Sequence, residues 1–240
     1  MSPFQSLTAR LVRSVSLSRF TNHLDFEIPR EKRFGFVAGQ WLSFRQPNTD
    51  GEEITRAYSI CSPPSDDNRF ALCLNRVQGG FMSNFLCDMK EGEQVSLQGP
   101  FGDFILRPPI SDTIFIATGT GIAPFRSMLQ WLFADRVRHQ EKQFWLLFGN
   151  RHERDIYYYD EFLALACQHS NFHYLPTLSR PDEKWRGMRG YVQQHVPDIA
   201  QDRPDMHAYI CGLDKMVKAN RELLKSLGWD KKRIRHEKYD

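Results

Sequence analysis

The sequence predicts a two-domain protein, an N-terminal antiparallel β-barrel followed by a C-terminal α/β domain with a parallel sheet. The first part consists of short β-branched and aromatic runs separated by Gly, Pro, Asn or Asp, a pattern typical of small all-β domains. The second part alternates apolar runs with amphipathic helical patterns, which predicts parallel strands covered by helices. The pattern changes near Pro108–Pro109, so the predicted domains are residues 1–108 and 109–240.

The first domain should contain six short strands and one helix. In chain order, the strands are LTARLVRSVSLS, NHLDFEIP, QWLSFRQ, RAYSIC, RFALCLNRV and EQVSLQGP. The segment GGFMSNFLCDMKEG predicts a helix with Ser83 as its cap, an apolar face including Phe85 and Leu86, and a stop at Gly92.

The second domain should alternate strands and helices. The apolar segments TIFIATGTG, QFWLLFGN, NFHYLPTLS and MHAYICG predict strands. The segments APFRSMLQWLFADRVRHQ, YYYDEFLALACQH and KMVKANRELLKSLG predict helices, and YVQQHV continues the alternation. This order is that of an α/β fold.

Composition bounds the classes of function. The 240 residues are 41% hydrophobic and 25% charged, with a net charge of +3, which gives no reason to expect a nucleic-acid partner. No apolar run has membrane-spanning length, and the N-terminus lacks the apolar core of a signal peptide. The five cysteines show no zinc or iron–sulfur spacing. We therefore expect a cytoplasmic protein with reduced cysteines, no metal site and no membrane partner.

Two glycine-rich turns are candidate phosphate sites. In ATGTGIAPFR, Gly119 and Gly121 follow an apolar strand, and Pro124 fits the first turn of the next helix. In GGFMS, residues 79–83 open the helix of the first domain. A helix N-terminus presents unpaired N–H groups to a phosphate, and glycine lets the backbone approach it. The alternatives are a tight strand-to-helix turn and simple helix capping.

The stretch RAYS places Arg56 and Tyr58 on the same face of a strand. By itself it fits either an amphipathic strand with an exposed arginine or a cofactor cradle. Further motifs, in chain order, are FVAGQWLSF, RAYSICSPP, LNRVQGGFMSNFL, GPFGDFIL, ATGTGIAPFRSML, LLFGNRHERDIYYYDEF, TLSRPDEKWRGMRGYV and YICGLDKMV. Together they resemble the ferredoxin–NADP reductase superfamily over nearly the whole chain. The resemblance implies a barrel that binds FAD and an α/β domain that binds a pyridine nucleotide.

The resemblance implies roles for residues of the first domain. Arg56 would pair with the FAD pyrophosphate, Tyr58 would lie against the isoalloxazine, and Ser59 would sit near flavin N5. A second set would edge the flavin ring through backbone groups or support the pyrophosphate; it comprises Asn75, Arg76 and Val77 at the ring, and Gly80, Phe81, Met82 and Ser83 at the pyrophosphate.

In the second domain, the resemblance implies that the glycine-rich turn lines the nicotinamide nucleotide. Its members are Gly119, Thr120, Gly121 and Pro124, and Thr120 would approach both cofactors. Cys211 and Gly212 would lie near the nicotinamide, unless Cys211 is only a small core residue. Glu237 would lie near Ser59 and Cys211 and relay a proton, so these three are the candidate catalytic residues. Tyr239 would stack over the flavin. The alternative for this C-terminal segment is a frayed polar tail.

The segment TLSRPDEKWRGMRGYV should carry the adenosine ribose. Relatives that prefer NAD often have an acidic residue where Ser179 stands, which would repel a 2′-phosphate. Here Ser179 and Arg180 can bind that phosphate, with Arg186 and Arg189 nearby. We expect NADPH as the preferred nucleotide. The alternative is that these arginines are solvated and that NADH works as well.

The resemblance implies an FAD-dependent oxidoreductase, in which FAD carries the redox chemistry. Electrons would pass between NADPH and a one-electron acceptor, either ferredoxin, flavodoxin or the iron–sulfur component of an oxygenase. One alternative is an NAD(P)H:flavin reductase that uses free flavin as substrate. Another is a non-catalytic electron-relay or nucleotide-sensing subunit of a complex. We expect a monomer.

Overall fold

The computed structural model describes residues 6–135 and 139–239. Within them, the chain divides into two compact units. Unit 1 comprises the described residues up to Ile105 together with Arg126–Trp131, and unit 2 comprises Leu106–Phe125 and the described residues from Leu132 onward. The domain boundary after residue 108 stays a prediction.

Unit 1 contains a six-stranded antiparallel sheet. The strands are β1 (Leu7–Ser18), β2 (Thr21–Glu27), β3 (Trp41–Pro47), β4 (Glu53–Ser59), β5 (Arg69–Asn75) and β6 (Gln94–Phe101), in the spatial order β4-β3-β6-β1-β2-β5. Just after β4, Ile60 forms an antiparallel bridge with Leu72, and the Cys61 N–H donates to the Ala71 carbonyl at 2.8 Å. This bridge joins the two outer strands, so the predicted antiparallel barrel is confirmed.

The barrel closes around an apolar interior because alternate side chains of each strand point inward. On β2, Leu24 and Phe26 are fully buried, while His23 and Asp25 point to the outer face. Phe26 stacks on Phe70 with 5.3 Å between the ring centroids. Each such buried aromatic side chain contributes roughly 1.5–3 kcal/mol through the apolar surface that it removes from water.

The helix of unit 1, α1 (Phe81–Asp88), starts and ends earlier than the sequence predicted. Its N-cap is Gly80, and Met89 follows its last residue with extended backbone. The prediction of Ser83 as the cap is therefore wrong. The Ser83 hydroxyl lies inside the helix, where it accepts from the Val77 N–H at 3.1 Å and donates to the Gly80 carbonyl at 3.2 Å. Gly92 belongs to the turn before β6, with φ of +93°.

The second part of the chain contains a six-stranded parallel sheet. The strands are β7 (Thr113–Thr118), β8 (Phe144–Asn150), β9 (Phe172–Leu178), β10 (Met188–Arg189), β11 (His207–Leu213) and β12 (Ile234–Tyr239), and the helices are α2 (Ile122–Leu132), α3 (Tyr159–Gln168), α4 (Val196–Ala200) and α5 (Asp214–Ser226). Strands β7 and β8 are buried almost throughout, as expected for parallel strands with both faces covered. The predicted α/β domain is confirmed.

The structure shows the conformation of two segments of unit 2 that the sequence left open. YVQQHV forms a 3₁₀ turn (Val192–Gln194) that leads into α4. The C-terminal segment is not a frayed tail in its described part, because β12 pairs with β11 from Ile234 to Tyr239. A strand rich in charged residues is stable there because it lies at the edge of the sheet, where one face and one edge meet solvent.

Among the described residues, no helix is long and apolar enough to cross a membrane.

Candidate functional site

The order in which the chain adds strands to the parallel sheet reverses between β7 and β11. The spatial order is β10-β9-β8-β7-β11-β12, so the chain winds one way from β7 to β10 and the other way from β11 to β12. In open α/β sheets, ligands bind at the carboxyl ends of the strands at such a switch point. The turn Gly119–Gly121 follows β7, and Cys211 and Gly212 are near the end of β11. The structure thus brings these predicted residues together where the fold favours a ligand.

The close approach of these two strand ends requires glycine. A Cβ on Gly121 would lie 2.3 Å from the Cys211 carbonyl oxygen, and a Cβ on Gly212 would lie 2.3 Å from Thr118 Oγ1. Gly119 instead has φ of +54°, and nothing lies within 4 Å of where its Cβ would be. Pro124 lies in the first turn of α2, where a missing N–H costs no hydrogen bond. The turn is therefore packed on one side and open at Gly119.

Thr118 is a residue of this turn that the sequence analysis missed. Its hydroxyl is buried and has no hydrogen-bond partner within the described residues. A buried polar group without a partner is unfavourable by roughly 1–3 kcal/mol, so an orphaned hydroxyl at the switch point indicates room for a polar ligand atom. Its position immediately before Gly119 was the available signal.

Cys211 lies in a cluster with two residues of β12. It is fully buried, and Glu237 is its direct partner in the β11–β12 register. Burial raises the pKa of the Cys211 thiol well above its usual range, the charge of Glu237 raises it further, and a hydrogen bond from Tyr239 lowers it. At neutral pH the thiol is therefore uncharged. Tyr239 is the last described residue, and its stacking on a flavin stays a prediction.

The candidate ribose-binding residues sit at the carboxyl end of β9. The N–H of Ser179 donates to the Asn150 carbonyl at 3.0 Å, and the N–H of Arg180 donates to the Arg151 carbonyl at 2.9 Å. The Arg180 side chain is exposed. Within the described residues, its guanidinium makes no hydrogen bond or ion pair. Ser179 and Arg180 are thus held by their backbone, and the Arg180 guanidinium is available to a ligand.

Arg186 and Arg189 are placed differently. Arg189 Nη2 donates to the carbonyls of Asp182 and Trp185 at 3.2 and 2.9 Å, so this guanidinium shapes the loop. Arg186 Nη1 donates to the Glu183 carbonyl at 3.0 Å and lines a cavity of about 410 Å³ together with Trp185. A role for Arg189 in nucleotide binding stays a prediction, although its side chain is already hydrogen-bonded to these loop carbonyls.

Tyr191 is a second residue that the sequence analysis missed. It follows β10, whose Arg189 pairs with Leu178 of β9, so it lies beyond the same sheet edge as Ser179. Its side chain is 62% exposed. An exposed aromatic ring at the carboxyl end of parallel strands is suited to stack on a planar base. The signal was a single tyrosine in GYV, which periodicity cannot separate from a core residue.

In unit 1, the RAYS stretch occupies the end of β4. Tyr58 packs edge-on against Phe44, with centroids 5.8 Å apart, and burial raises its pKa to about 12. Its hydroxyl therefore stays protonated and can donate a hydrogen bond at neutral pH. Ser59 is buried opposite Trp41. Arg56 is exposed, and Nη1 donates to the Thr55 carbonyl at 2.8 Å, which leaves most of its donors for a ligand.

The start of α1 offers backbone donors beside β4, with which the helix is in contact. Gly79 has φ of +73° and open space where a Cβ would be, and Gly80 has no side chain to cap the helix. Phe81 can therefore offer a free N–H group to an anion. Met82 is in the barrel core, so it can contribute only its backbone. A groove of about 560 Å³ is lined by this turn and the face of α1 that carries Phe81 and Phe85.

The segment Asn75–Val77 is bonded mainly within unit 1. Asn75 Oδ1 accepts from Thr21, and Arg76 forms a two-point ion pair with Asp88. The N–H groups of Arg76 and Val77 donate to Phe20 and Ser83. The contact of this segment with a flavin ring stays a prediction. Its established role in the structure is to fix the start of α1.

Both units have features that fit their expected cofactors. In unit 1, an exposed guanidinium and an uncapped helix start suit a diphosphate. In unit 2, the orphaned Thr118 hydroxyl, the open Gly119 and the unengaged Arg180 guanidinium suit a phosphorylated nucleotide. The described residues contain no group of His, Cys, Asp and Glu that could hold a metal ion.

Comparison with known proteins agrees with the assignment of FAD to the first domain and of a nicotinamide nucleotide to the second. The oxidoreductase FAD-binding domain matches residues 8–105, and the oxidoreductase NAD-binding domain matches residues 115–222. The chain is 43% identical to ferredoxin–NADP reductase B of Sorangium cellulosum, covering 99% of this chain and 98% of that protein. It is 30% identical to the toluate 1,2-dioxygenase electron transfer component of Pseudomonas putida, over 93% of this chain and 64% of that protein. The chain spans about half to two thirds of the length of several such relatives.

A solved structure gives the same fold. The Amycolatopsis cytochrome P450 reductase GcoB matches with a TM-score of 0.86 and 26% identity, covering 99% of this chain and 71% of that one. The chain has an antiparallel barrel, a parallel sheet with a glycine turn at its switch point, and 43% identity to a ferredoxin–NADP reductase over almost its entire length. It therefore belongs to the ferredoxin–NADP reductase family of FAD- and NAD-binding oxidoreductases.

Proposed function

We propose that this protein is an FAD-dependent oxidoreductase that passes electrons between NADPH and a one-electron acceptor protein. The acceptor is a ferredoxin, a flavodoxin or the iron–sulfur component of an oxygenase. The observation that carries the proposal is the pair of cofactor cradles, one in each unit, on a chain that matches a ferredoxin–NADP reductase over 99% of its length. We also propose a cytoplasmic location and a monomeric protein.

Bound FAD supplies the chemistry, because it accepts hydride from a nicotinamide and releases electrons singly. The residues of unit 1 hold and orient it. Arg56 and the N–H groups at the start of α1 bind its diphosphate, and Tyr58 stays neutral so that it can lie against an apolar ring and still donate a hydrogen bond. Ser59 is positioned by its pairing with Trp41.

Unit 2 binds and orients the nucleotide. The turn after β7 and the Thr118 hydroxyl bind its phosphates and ribose, and Tyr191 stacks on its adenine ring. Cys211 presents a neutral thiol at the end of β11, so it adds no charge next to the nicotinamide. Glu237 pairs with Cys211 in the β11–β12 register, where its carboxylate can relay a proton. Ser179 and Arg180 bind the 2′-phosphate, which makes NADPH the preferred nucleotide.

The test compares acceptors at fixed enzyme and NADPH. The purified protein is loaded with FAD, and NADPH consumption is followed with a ferredoxin, with a flavodoxin and with free FAD or FMN. We expect reduction of at least one acceptor protein and slow reduction of free flavin. If free flavin is reduced as fast as any acceptor protein, and the protein retains no flavin through purification, the chain is an NAD(P)H:flavin reductase instead. If nothing is reduced, it is a non-catalytic subunit.

A further inference from the structure

Four hydrogen bonds among the described residues join the end of β8 and its loop to the loop after β9. Two are the backbone bonds from Ser179 and Arg180 to the Asn150 and Arg151 carbonyls. The other two come from side chains: the Ser179 hydroxyl donates to the Asn150 carbonyl at 3.4 Å, and His152 Nδ1 is 2.9 Å from the Arg180 carbonyl oxygen. Because a carbonyl oxygen can only accept, Nδ1 carries the proton and donates it. His152 therefore holds the carbonyl of Arg180, the residue whose guanidinium is available to a ligand.

The His152 backbone is itself fixed by the chain around it. Its carbonyl accepts from the Asp155 N–H at 3.0 Å, which starts the 3₁₀ turn Glu153–Asp155. Its side chain is partly buried. The Arg180 backbone is thus held at its N–H by Arg151 and at its carbonyl by His152. Because the two peptide units that flank the Arg180 Cα are each held by a hydrogen bond, the direction in which the Arg180 side chain leaves the loop is fixed as well.

The other arginines of this loop cannot replace Arg180 without breaking contacts. Arg189 is bonded to the carbonyls of Asp182 and Trp185, and Arg186 is bonded to Glu183. Arg180 alone of these three is free of side-chain partners among the described residues. Arg180, whose backbone is held by hydrogen bonds, is therefore the arginine of this loop best placed to distinguish NADPH from NADH through the 2′-phosphate.

We propose that His152 is a positioning residue for nucleotide specificity: it holds the Arg180 backbone so that the guanidinium meets the 2′-phosphate of NADPH. This inference rests on the proposed function, in particular on the preference for NADPH. His152 contacts neither the nucleotide nor the reacting atoms in this account. Its effect must therefore appear in the selectivity between NADPH and NADH, which differ only in the 2′-phosphate, and must require the Arg180 side chain.

The test measures KM and kcat with NADPH and with NADH, using ferricyanide as electron acceptor, for the wild type, His152→Ala, His152→Asn and His152→Gln. The amide nitrogen of Asn can occupy the place of Nδ1, whereas that of Gln extends one bond too far. We expect His152→Ala to raise the KM for NADPH about fivefold and that for NADH less than about twofold, as befits loss of one positioning hydrogen bond. His152→Asn should restore the wild-type ratio, and His152→Gln should not.

A double-mutant cycle separates positioning from general damage. Arg180→Ala should raise the KM for NADPH about 30-fold, because it removes a charge-assisted hydrogen bond. Adding His152→Ala to Arg180→Ala should change the NADPH/NADH ratio no further, since the side chain that His152 positions is gone. Additive effects, or an unchanged ratio in His152→Ala, would overturn the inference and leave the proposed function intact. A wild type without NADPH preference would overturn that part of the proposed function and the inference with it.

Discussion

The two glycine-rich turns of this protein differ in how closely other atoms approach their glycines. In unit 2, Gly121 and Gly212 are needed because backbone and side-chain atoms of the neighbouring strand end lie 2.3 Å from where a Cβ would be. In unit 1, Gly79 is needed only for its φ of +73°, with open space around it. Each turn also contains a glycine of the other kind, since Gly119 has a positive φ with open space and a Cβ on Gly80 would lie 2.9 Å from Ser83 Oγ. The approach at Gly121 is closer, and it is to a backbone atom.

The polar contacts around the two turns differ in the same way. The start of α1 is held by the side chains of Ser83 and Asn84, which bond to the backbone of Val77 and Gly80. The turn after β7 leaves the Thr118 hydroxyl without a partner. The two cradles for phosphorylated cofactors therefore differ in packing and in polar contacts, and substitutions should damage them to different extents.

The largest effect should come from Gly121→Ala. The new methyl group would meet the Cys211 carbonyl, and relieving that overlap should destabilise unit 2 by about 3 kcal/mol. The matched control is Gly119→Ala in the same turn, which meets no atom and costs only about 1 kcal/mol for its positive φ. Thermal melting should place Gly121→Ala roughly 6–12 °C below the wild type. Equal melting temperatures for the two variants would contradict the packed description of this turn.

Next in size is the effect of Arg56→Ala on FAD affinity. The guanidinium is exposed and has donors to spare, so its loss should remove charge-assisted bonds worth about 2 kcal/mol and weaken FAD binding about 30-fold. Arg69→Ala is the control, since Arg69 lies on β5 and pairs with Glu27 at 3.5 Å. Fluorescence titration of the apoprotein with FAD measures both. Comparable weakening by Arg69→Ala would show that general charge, not the RAYS face, holds the diphosphate.

A change of pH should have a smaller effect on stability. Raising the pH should destabilise unit 1, and lowering it should destabilise unit 2. Burial alone would lower the pKa of His23, but hydrogen bonds to Asp25 at 3.0 Å and to Cys61 raise it to about 9. Arg13 and Arg126 also face Asp25. Because the folded pKa exceeds the unfolded value of 6.5, His23 stabilises unit 1 fully below that value. This stabilisation is lost as pH rises through 9, about 1–2 kcal/mol between pH 7 and pH 9.

His173 in unit 2 provides the contrast. Burial and the nearby charge of Arg203 lower its pKa, so the unfolded chain binds its proton first, and stability falls as pH drops through 6.5. Hydrogen exchange of β2 and β9 amides from pH 5 to pH 10 follows the two strands separately, after correction for the intrinsic exchange rate. His23→Gln should remove the alkaline loss in β2 and leave the acid loss in β9. Persistence of the alkaline loss in that variant would assign it to another group.

The smallest effect should be that of Gly79→Ala. Its φ of +73° makes an alanine unfavourable by about 1 kcal/mol, yet the open space offers no clash. We expect a melting temperature within roughly 2–4 °C of the wild type. A loss as large as that of Gly121→Ala would mean that the α1 turn is packed as tightly as the turn after β7.

Much of the fold could be predicted from the sequence because long-range and local signals agree. The apolar runs of β7 and β8 and the alternation in β1 each satisfy the burial that the sheet imposes. The strand β12 escaped prediction because RIRHEKY has the composition of a solvated segment, and only pairing with β11 makes it a strand. The start of α1 was misplaced because Ser83 resembles a cap, whereas glycine at position 80 lets the helix begin sooner.

The candidate site could be predicted in position but not in detail. Motif order located the turn after β7 and the Cys211–Gly212 strand end, and the topology places both at one switch point. The sequence could not reveal that Arg189 is bonded to loop carbonyls while Arg180 is open, because the two residue types are identical. It could not reveal the orphaned Thr118 hydroxyl either, since a missing partner is a property of three-dimensional packing.

The central claim is that unit 1 holds FAD tightly and that NADPH is its electron donor. The most direct measurement is the visible absorption spectrum of the purified protein, followed by anaerobic addition of NADPH and then by denaturation and chromatography of the released cofactor. We expect a flavin spectrum that bleaches with NADPH, and one FAD released per chain. A colourless protein that stays colourless after incubation with FAD, yet reduces added free flavin, would contradict it.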